Sequence, residues 1–173
     1  MKYSWLLYIL PVLLISCREE AKKPVQIEWS NEKSTKMNKD LAFKENMNIR
    51  MFLENRKSWQ VTETGSGLRY YIYEHGTGPQ AQSEMLAEVK FRISLLDGTL
   101  CYATDSLETE TFRIDRSEVE SGIQEGIKFM RVGDKAKMIV PSHLGQGLVG
   151  DFDKIPPLTT LVVDLELVSL RNK

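Results

Sequence analysis

Beyond Trp59, apolar side chains recur at every second position in four separate runs, and one stretch between them recurs at helical intervals. Leu68, Tyr70 and Ile72 alternate with Arg69, Tyr71 and Tyr73; Val89, Phe91, Ile93 and Leu95 alternate with Lys90, Arg92 and Ser94. Ala136, Met138 and Val140 alternate with Lys135, Lys137 and Ile139, and Leu161, Val163, Leu165 and Leu167 repeat the pattern near the end of the chain. A period of two turns one face of each run to a core and the other to water, so these runs predict a largely antiparallel sheet. Phe112 and Ile114 mark a further short strand. Gly76-Thr77-Gly78-Pro79 breaks the first run. Asp97-Gly98 follows the second and suits a tight hairpin, because both positions tolerate positive φ. Val119, Ile123, Ile127 and Met130 predict one amphipathic helix over Ser117–Arg131, with Ser117 as its cap and Gly133-Asp134 as its end. One principal helix lying across an antiparallel sheet is an α+β arrangement.

Upstream of Trp59 the pattern differs. Asp40 can cap a helix to about Arg56, on which Phe43, Met47, Met51 and Phe52 form an apolar stripe. That stripe could dock on the globular part or pair with a second copy of itself. Residues 18–39 are rich in Lys, Glu, Asn and Ser and bury too little to offset their ordering entropy, so they read as a flexible tether. Residues 1–17 place Lys2 ahead of an apolar run from Trp5 to Ile15, too short for a permanent span and suited to a signal peptide. The run closes on Leu14-Ile15-Ser16-Cys17, which is similar to the bacterial lipobox. In that motif Cys17 becomes the new N-terminus and carries acyl chains. Several chains hold a membrane far more firmly than one, since each buried methylene adds about 0.8 kcal/mol. The expectation is a lipid-anchored protein of the cell envelope, on a membrane of a Gram-negative bacterium, with the outer membrane favoured.

Charge and cysteine content exclude several classes of function. Residues 1–17 hold only Lys2 of the 23 Lys and Arg, so 22 basic residues face 24 acidic ones after processing, and no nucleic-acid partner is implied. With Cys17 lipidated, Cys101 has no partner for an intramolecular disulfide, and its strand-like setting reads as a small buried hydrophobe. His75 and His143 have no Cys or His at ligand spacing, so no zinc or other metal site is expected. From Pro141 to Thr160 the chain is irregular, with Gly145, Gly147, Gly150, Pro156 and Pro157, and a loop of that length is usually functional.

A family resemblance enters with the runs Val119-Glu120-Ser121-Gly122-Ile123-Gln124-Glu125-Gly126-Ile127, Met130-Arg131-Val132-Gly133-Asp134-Lys135-Ala136 and Ile139-Val140-Pro141-Ser142. Gly147, Ile155-Pro156-Pro157 and Thr160-Leu161-Val162-Val163-Asp164-Leu165-Glu166-Leu167 follow in order. Together they resemble an FKBP-type peptidyl-prolyl cis-trans isomerase domain, and Gly65-Ser66-Gly67-Leu68, Gly76-Thr77-Gly78 and Asp97-Gly98 agree with its early strands and turns. The resemblance covers about Val61 to Leu170. With the readings upstream of it, the chain divides into a signal peptide at 1–17, a tether at 18–39, a helix at 40–58 and an FKBP-like half-barrel at 59–173. The lipobox and helical extension are also similar to FKBP-type lipoproteins associated with gliding motility.

The resemblance implies a rotamase that uses no nucleophile, acid–base group, metal or cofactor and acts on proline-containing segments of exported proteins. By position its pocket would draw on Phe91, Tyr102, Phe112, Val119, Glu120, Ile123, Gln146, Ile155 and Val163, with the Glu120 amide donating to a substrate carbonyl. A core role is the expectation for Val163 and Phe112, and a pocket wall for Ile155. The chain also departs from the family. Ile123 stands where a tryptophan floor is usual, Cys101-Tyr102 where a phenylalanine and aspartate are usual, Gln146 where a tyrosine binds a ligand carbonyl, and Val163 where phenylalanine is common. These substitutions keep a second reading open, a catalytically weak or silent binding module of an envelope assembly.

Overall fold

The structure, a computed structural model, describes residues 30–172 apart from Ser106 and Ser117. The signal peptide, Cys17, the tether from 18 to 29 and the cap at Ser117 lie outside the described residues. The chain divides into two units at Lys36. In the first, Ser30 begins helix α1 (Asn31–Glu54), its Oγ accepting from Lys33 N–H at 3.2 Å and its carbonyl from Ser34 N–H at 3.1 Å. The helix thus starts nine residues before Asp40, which is not its cap. Residues 31–39, read as tether, lack an apolar period but are capped, and extending a helix that already exists adds a hydrogen bond for each residue fixed.

The second unit, from Met37, holds the rest of α1 and a seven-stranded antiparallel sheet. Its strands are β1 (Thr62–Glu63), β2 (Arg69–Glu74), β3 (Leu86–Leu95), β4 (Leu100–Ala103), β5 (Glu110–Arg113), β6 (Lys135–Val140) and β7 (Leu161–Arg171). They lie in the order β1-β2-β6-β7-β3-β4, with β5 also on β3. The outer edge of β3 is shared: β5 pairs with Leu86–Val89 and β4 with Arg92–Ser94. Between those two pairings Phe91 exchanges hydrogen bonds with Thr104 alone. The β3–β4 hairpin turns at Asp97-Gly98, but only Gly98 takes a positive φ, +93°. The register of the pair shifts by one residue between Ile93 and Ser94, as a turn followed by a bulge requires.

Helix α2 (Ser121–Ile127) lies against β6. Gly122 and Gly126 permit this approach: a Cβ on either would stand 2.5 Å from Val140 Cγ1 or Met138 Sδ. α2 is half the length its apolar spacing predicts. Past Ile127 the backbone turns away to bond residues 78–81, with Ala81 N–H donating to Met130 O and Val132 N–H to Pro79 O. These bonds replace the i→i−4 ladder that a longer helix would need.

The concave face of the sheet carries the core: Val89, Ile93, Ala136, Met138, Val140, Val163, Leu165 and Leu167 pack with Leu68, Ile114 and Ile127. The other face is not wholly wet, as alternation alone would have it. Arg69, Ile139 and Val162 are buried there, and α1 reaches that face. Arg69 Nη2 donates to Asn46 Oδ1 at 3.0 Å, and Phe52 shares a shallow hollow with Trp59 and Val162. Ile49, fully buried, is the residue α1 docks with, while Phe43, Met47 and Met51 of the expected stripe are exposed.

Candidate functional site

The concave side of β3 opens on a cavity of about 570 Å³ where β4 and β5 part. Alternation sets Val89, Phe91 and Ile93 on one wall, and the β3–β7 register puts Leu165 beside Phe91. Phe112 on β5, Tyr102 on β4, and Val119, Glu120 and Ile123 at the start of α2 close the other sides. Ile123 and Phe112 are buried, and Phe91, Tyr102 and Val119 are half-buried. The result is a mainly apolar hollow, partly open to solvent, whose lining also includes the exposed Glu110 and Glu118 and the half-buried Glu120.

Six of the nine pocket residues named from sequence therefore meet in one cavity: Phe91, Tyr102, Phe112, Val119, Glu120 and Ile123. Gln146, Ile155 and Val163 are not among its lining residues. Val163 is fully buried in the core, where the sequence reading put it, and Phe112 is buried in the same core while also lining the cavity. Ile155 is no pocket wall. Its N–H donates to Asp151 Oδ1 at 2.7 Å, and its side chain is 2% exposed within the core. Gln146 reaches the rim indirectly, its Nε2 donating to Glu120 Oε1 at 2.8 Å. Val89, Ile93 and Leu165 were missed. The first two share the parity of Phe91, a signal that was present; the pairing of Leu165 with Phe91 depends on register, which no single strand reveals.

Two features organise the rim. The Tyr102 hydroxyl donates to the Asp151 carboxylate, whose Oδ1 also accepts from the N–H groups of Asp153 and Ile155. That hydroxyl bond is the main reason the Asp151 carboxyl is held down at about 2 and the Tyr102 phenol is pushed up to about 12. It fastens the long loop after β6 to β4. The second feature is the N–H of Glu120, a lining residue, which meets no acceptor among the described residues.

A second hollow, about 400 Å³, lies between α1 and the long loop. Its central carboxylate is already engaged: Glu45 accepts from Ser142 N–H at 2.7 Å, Ser142 Oγ at 3.1 Å and Thr160 Oγ1 at 2.7 Å. Glu45 ties α1 to both ends of the loop, so this hollow is a seam between packed elements. Among the described residues no three His, Cys, Asp or Glu side chains come together as metal ligands would.

A family model for the FKBP-type peptidyl-prolyl cis-trans isomerase matches residues 78–168 of the 173. The chain belongs to this family. The FKBP match begins just before β3 and ends within β7, so it encloses the cavity. A probable FKBP-type isomerase FkpA of Neisseria meningitidis serogroup B is 28% identical over 159 residues, 92% of this chain and 55% of that protein. FkpA of Aeromonas hydrophila is 32% identical over 138 residues, 79% of this chain and 50% of that one. The chain thus spans about half the length of these curated relatives. Among solved structures, FkpA from Escherichia coli superposes with a TM-score of 0.67 at 31% identity, covering 80% of this chain and 64% of the other. An isomerase from Pseudomonas syringae superposes at 0.64 and 27% identity, covering 78% and 96%. The antiparallel FKBP fold expected from the sequence is the fold observed.

Proposed function

We propose that this chain accelerates the cis–trans isomerisation of X-Pro bonds in exported proteins while held at an envelope membrane by lipid on Cys17. The apolar cavity between β3, β4, β5 and α2 carries the reading. Rotation about an X-Pro bond is slow because the amide loses resonance, a barrier of roughly 18–20 kcal/mol. A twisted amide is less dipolar than a planar one, so a dry hollow that grips the ring stabilises the transition state more than the ground state. Phe91, Phe112, Val119 and Ile123 supply that hollow, and the open Glu120 N–H can hold a substrate carbonyl at its mouth. The anchor is supported by the lipobox-like run ending at Cys17. Pairing of two copies through α1 is supported by its exposed Phe43, Met47 and Met51.

A second reading, a silent binding module of an envelope assembly such as motility machinery, is favoured by one observation. Tyr102 and Gln146, which stand where the family resemblance implies an aspartate and a tyrosine, are hydrogen-bonded to Asp151 and Glu120 of this chain. Exchange NMR on a panel of X-Pro peptides with the full-length protein separates the two readings. Isomerase action predicts exchange well above that in buffer on at least part of the panel. Buffer rates on every peptide, with binding retained, would leave the silent module standing.

A further inference from the structure

Lys and Arg nearly balance Asp and Glu over the whole chain, 23 against 24, but not at the cavity. Its lining includes Glu110, Glu118 and Glu120 and no Lys, Arg or His. The asymmetry follows from the fold. On β5, alternation places Glu110 on the same face as Phe112, toward the hollow. On β3 the same rule turns the cations away: Lys90 and Arg92 line a separate hollow with Tyr73, Asp164 and Glu166. Glu118 and Glu120 flank Val119 where the chain enters α2, and Gln146 fixes the Glu120 carboxylate at 2.8 Å. No cation among the described residues forms an ion pair with any of the three. Lys154 Nζ lies 4.7 Å from the ring centroid of Tyr102, whose hydroxyl is itself hydrogen-bonded to Asp151 and Asp153.

Carboxylates scattered on a surface are usually just hydrated. Around an apolar hollow they act together, because low-dielectric walls focus their field on whatever enters. Their spacing also selects the visitor. No three of the chain's described acidic, His or Cys side chains converge as ligands of a metal ion. A charge spread around a mouth fits a long, mobile cationic side chain leaving the hollow beside a bound ring.

We infer that this cavity selects prolines flanked by lysine or arginine, the cationic side chain lying among Glu110, Glu118 and Glu120 while the ring enters between Phe91, Phe112 and Ile123. The inference rests on the isomerase reading of the same cavity and adds its substrate class. Partly exposed charge pairs are individually weak, so three together predict a preference of about fivefold for a Lys-flanked over a Glu-flanked proline.

The test uses the full-length protein and matched peptides with Lys, Gln or Glu immediately before or after the proline, followed by exchange NMR. The expected order is Lys, then Gln, then Glu at about 10 mM salt, with the ratio collapsing near 1 M as the screening length falls from roughly 30 to 3 Å. The Glu110→Gln/Glu118→Gln double variant, checked by circular dichroism, should bring the Lys-to-Glu ratio toward one. Equal rates for Lys and Glu peptides in the wild type, or a preference untouched by salt, overturn the inference and leave isomerase action intact. Should no peptide turn over, the isomerase reading fails by itself, and peptide titration decides the inference: a Lys-to-Glu affinity ratio of about fivefold keeps it, and equal affinities end it.

Discussion

At the scale of single residues the site rests on one hydroxyl. Tyr102 joins β4 to the loop through Asp151, and the groups mark that bond from opposite sides of neutrality. Asp151, held at about 2 chiefly by the Tyr102 bond, stabilises the fold above the ordinary carboxylate range, and this contribution is lost as pH falls from about 4 toward 2. Tyr102, raised to about 12 chiefly by the same bond, contributes below about 10, and its share is lost as pH rises from there toward 12. Tyr102→Phe should therefore flatten both limbs. Its Asp151 carboxyl, followed by carbon NMR, should titrate above 2 and nearer the ordinary range, and residues 150–155 should exchange amide protons faster. An Asp151 titration unchanged by the variant would show that the loop is held by other means. Such a bond was not legible in the sequence, because Tyr102 and Asp151 stand 49 positions apart. Phe91 and Ile123 were legible because period and motif each point to one residue; Ile155 was misplaced because a motif position says nothing about which way a loop side chain turns.

At the scale of elements, strands were more legible than helices. A period of two survives any tertiary setting, whereas helix ends depend on what the neighbouring backbone offers. α2 stops where residues 78–81 take over its hydrogen bonds, and α1 begins where Ser30 caps it rather than where apolar residues first recur. The face of α1 was misread for a related reason. Phe43, Met47 and Met51 make a plausible stripe, yet Ile49 with Glu45 and Asn46 meets the sheet, opposite Ser142, Thr160 and Arg69. This docking has a measurable consequence. Ile49→Ala should lower the unfolding free energy by about 2–4 kcal/mol, as truncation of a fully buried aliphatic side chain does. Phe43→Ala, on a side chain 68% exposed, should change it by less than about 0.5 kcal/mol in dilute solution. Urea unfolding of both variants decides. The reverse ranking would mean that α1 contributes little to the fold through Ile49.

At the scale of the molecule, the two proposed properties, turnover and membrane anchoring, draw on different parts of the chain. The residues that line the cavity lie between Val89 and Leu165, within the folded unit that begins at Met37. Among the described residues no helix is long and apolar enough to cross a membrane, and the proposal of an anchor draws on residues 1–17 alone. If the two properties are separable, one substitution should remove one and spare the other. Cys17→Ser leaves the apolar run but takes away the thiol that would be acylated, and the mature acidic excess of two offers no electrostatic substitute for acyl chains at an anionic membrane surface. Fractionation of cells expressing the two forms should then find the wild-type chain with membranes and the variant largely released. The exchange rate on a Lys-flanked X-Pro peptide should be the same for both. A variant that still sediments with membranes would place the hold elsewhere in the chain, and one that lost turnover along with its anchor would show that the two regions act as one.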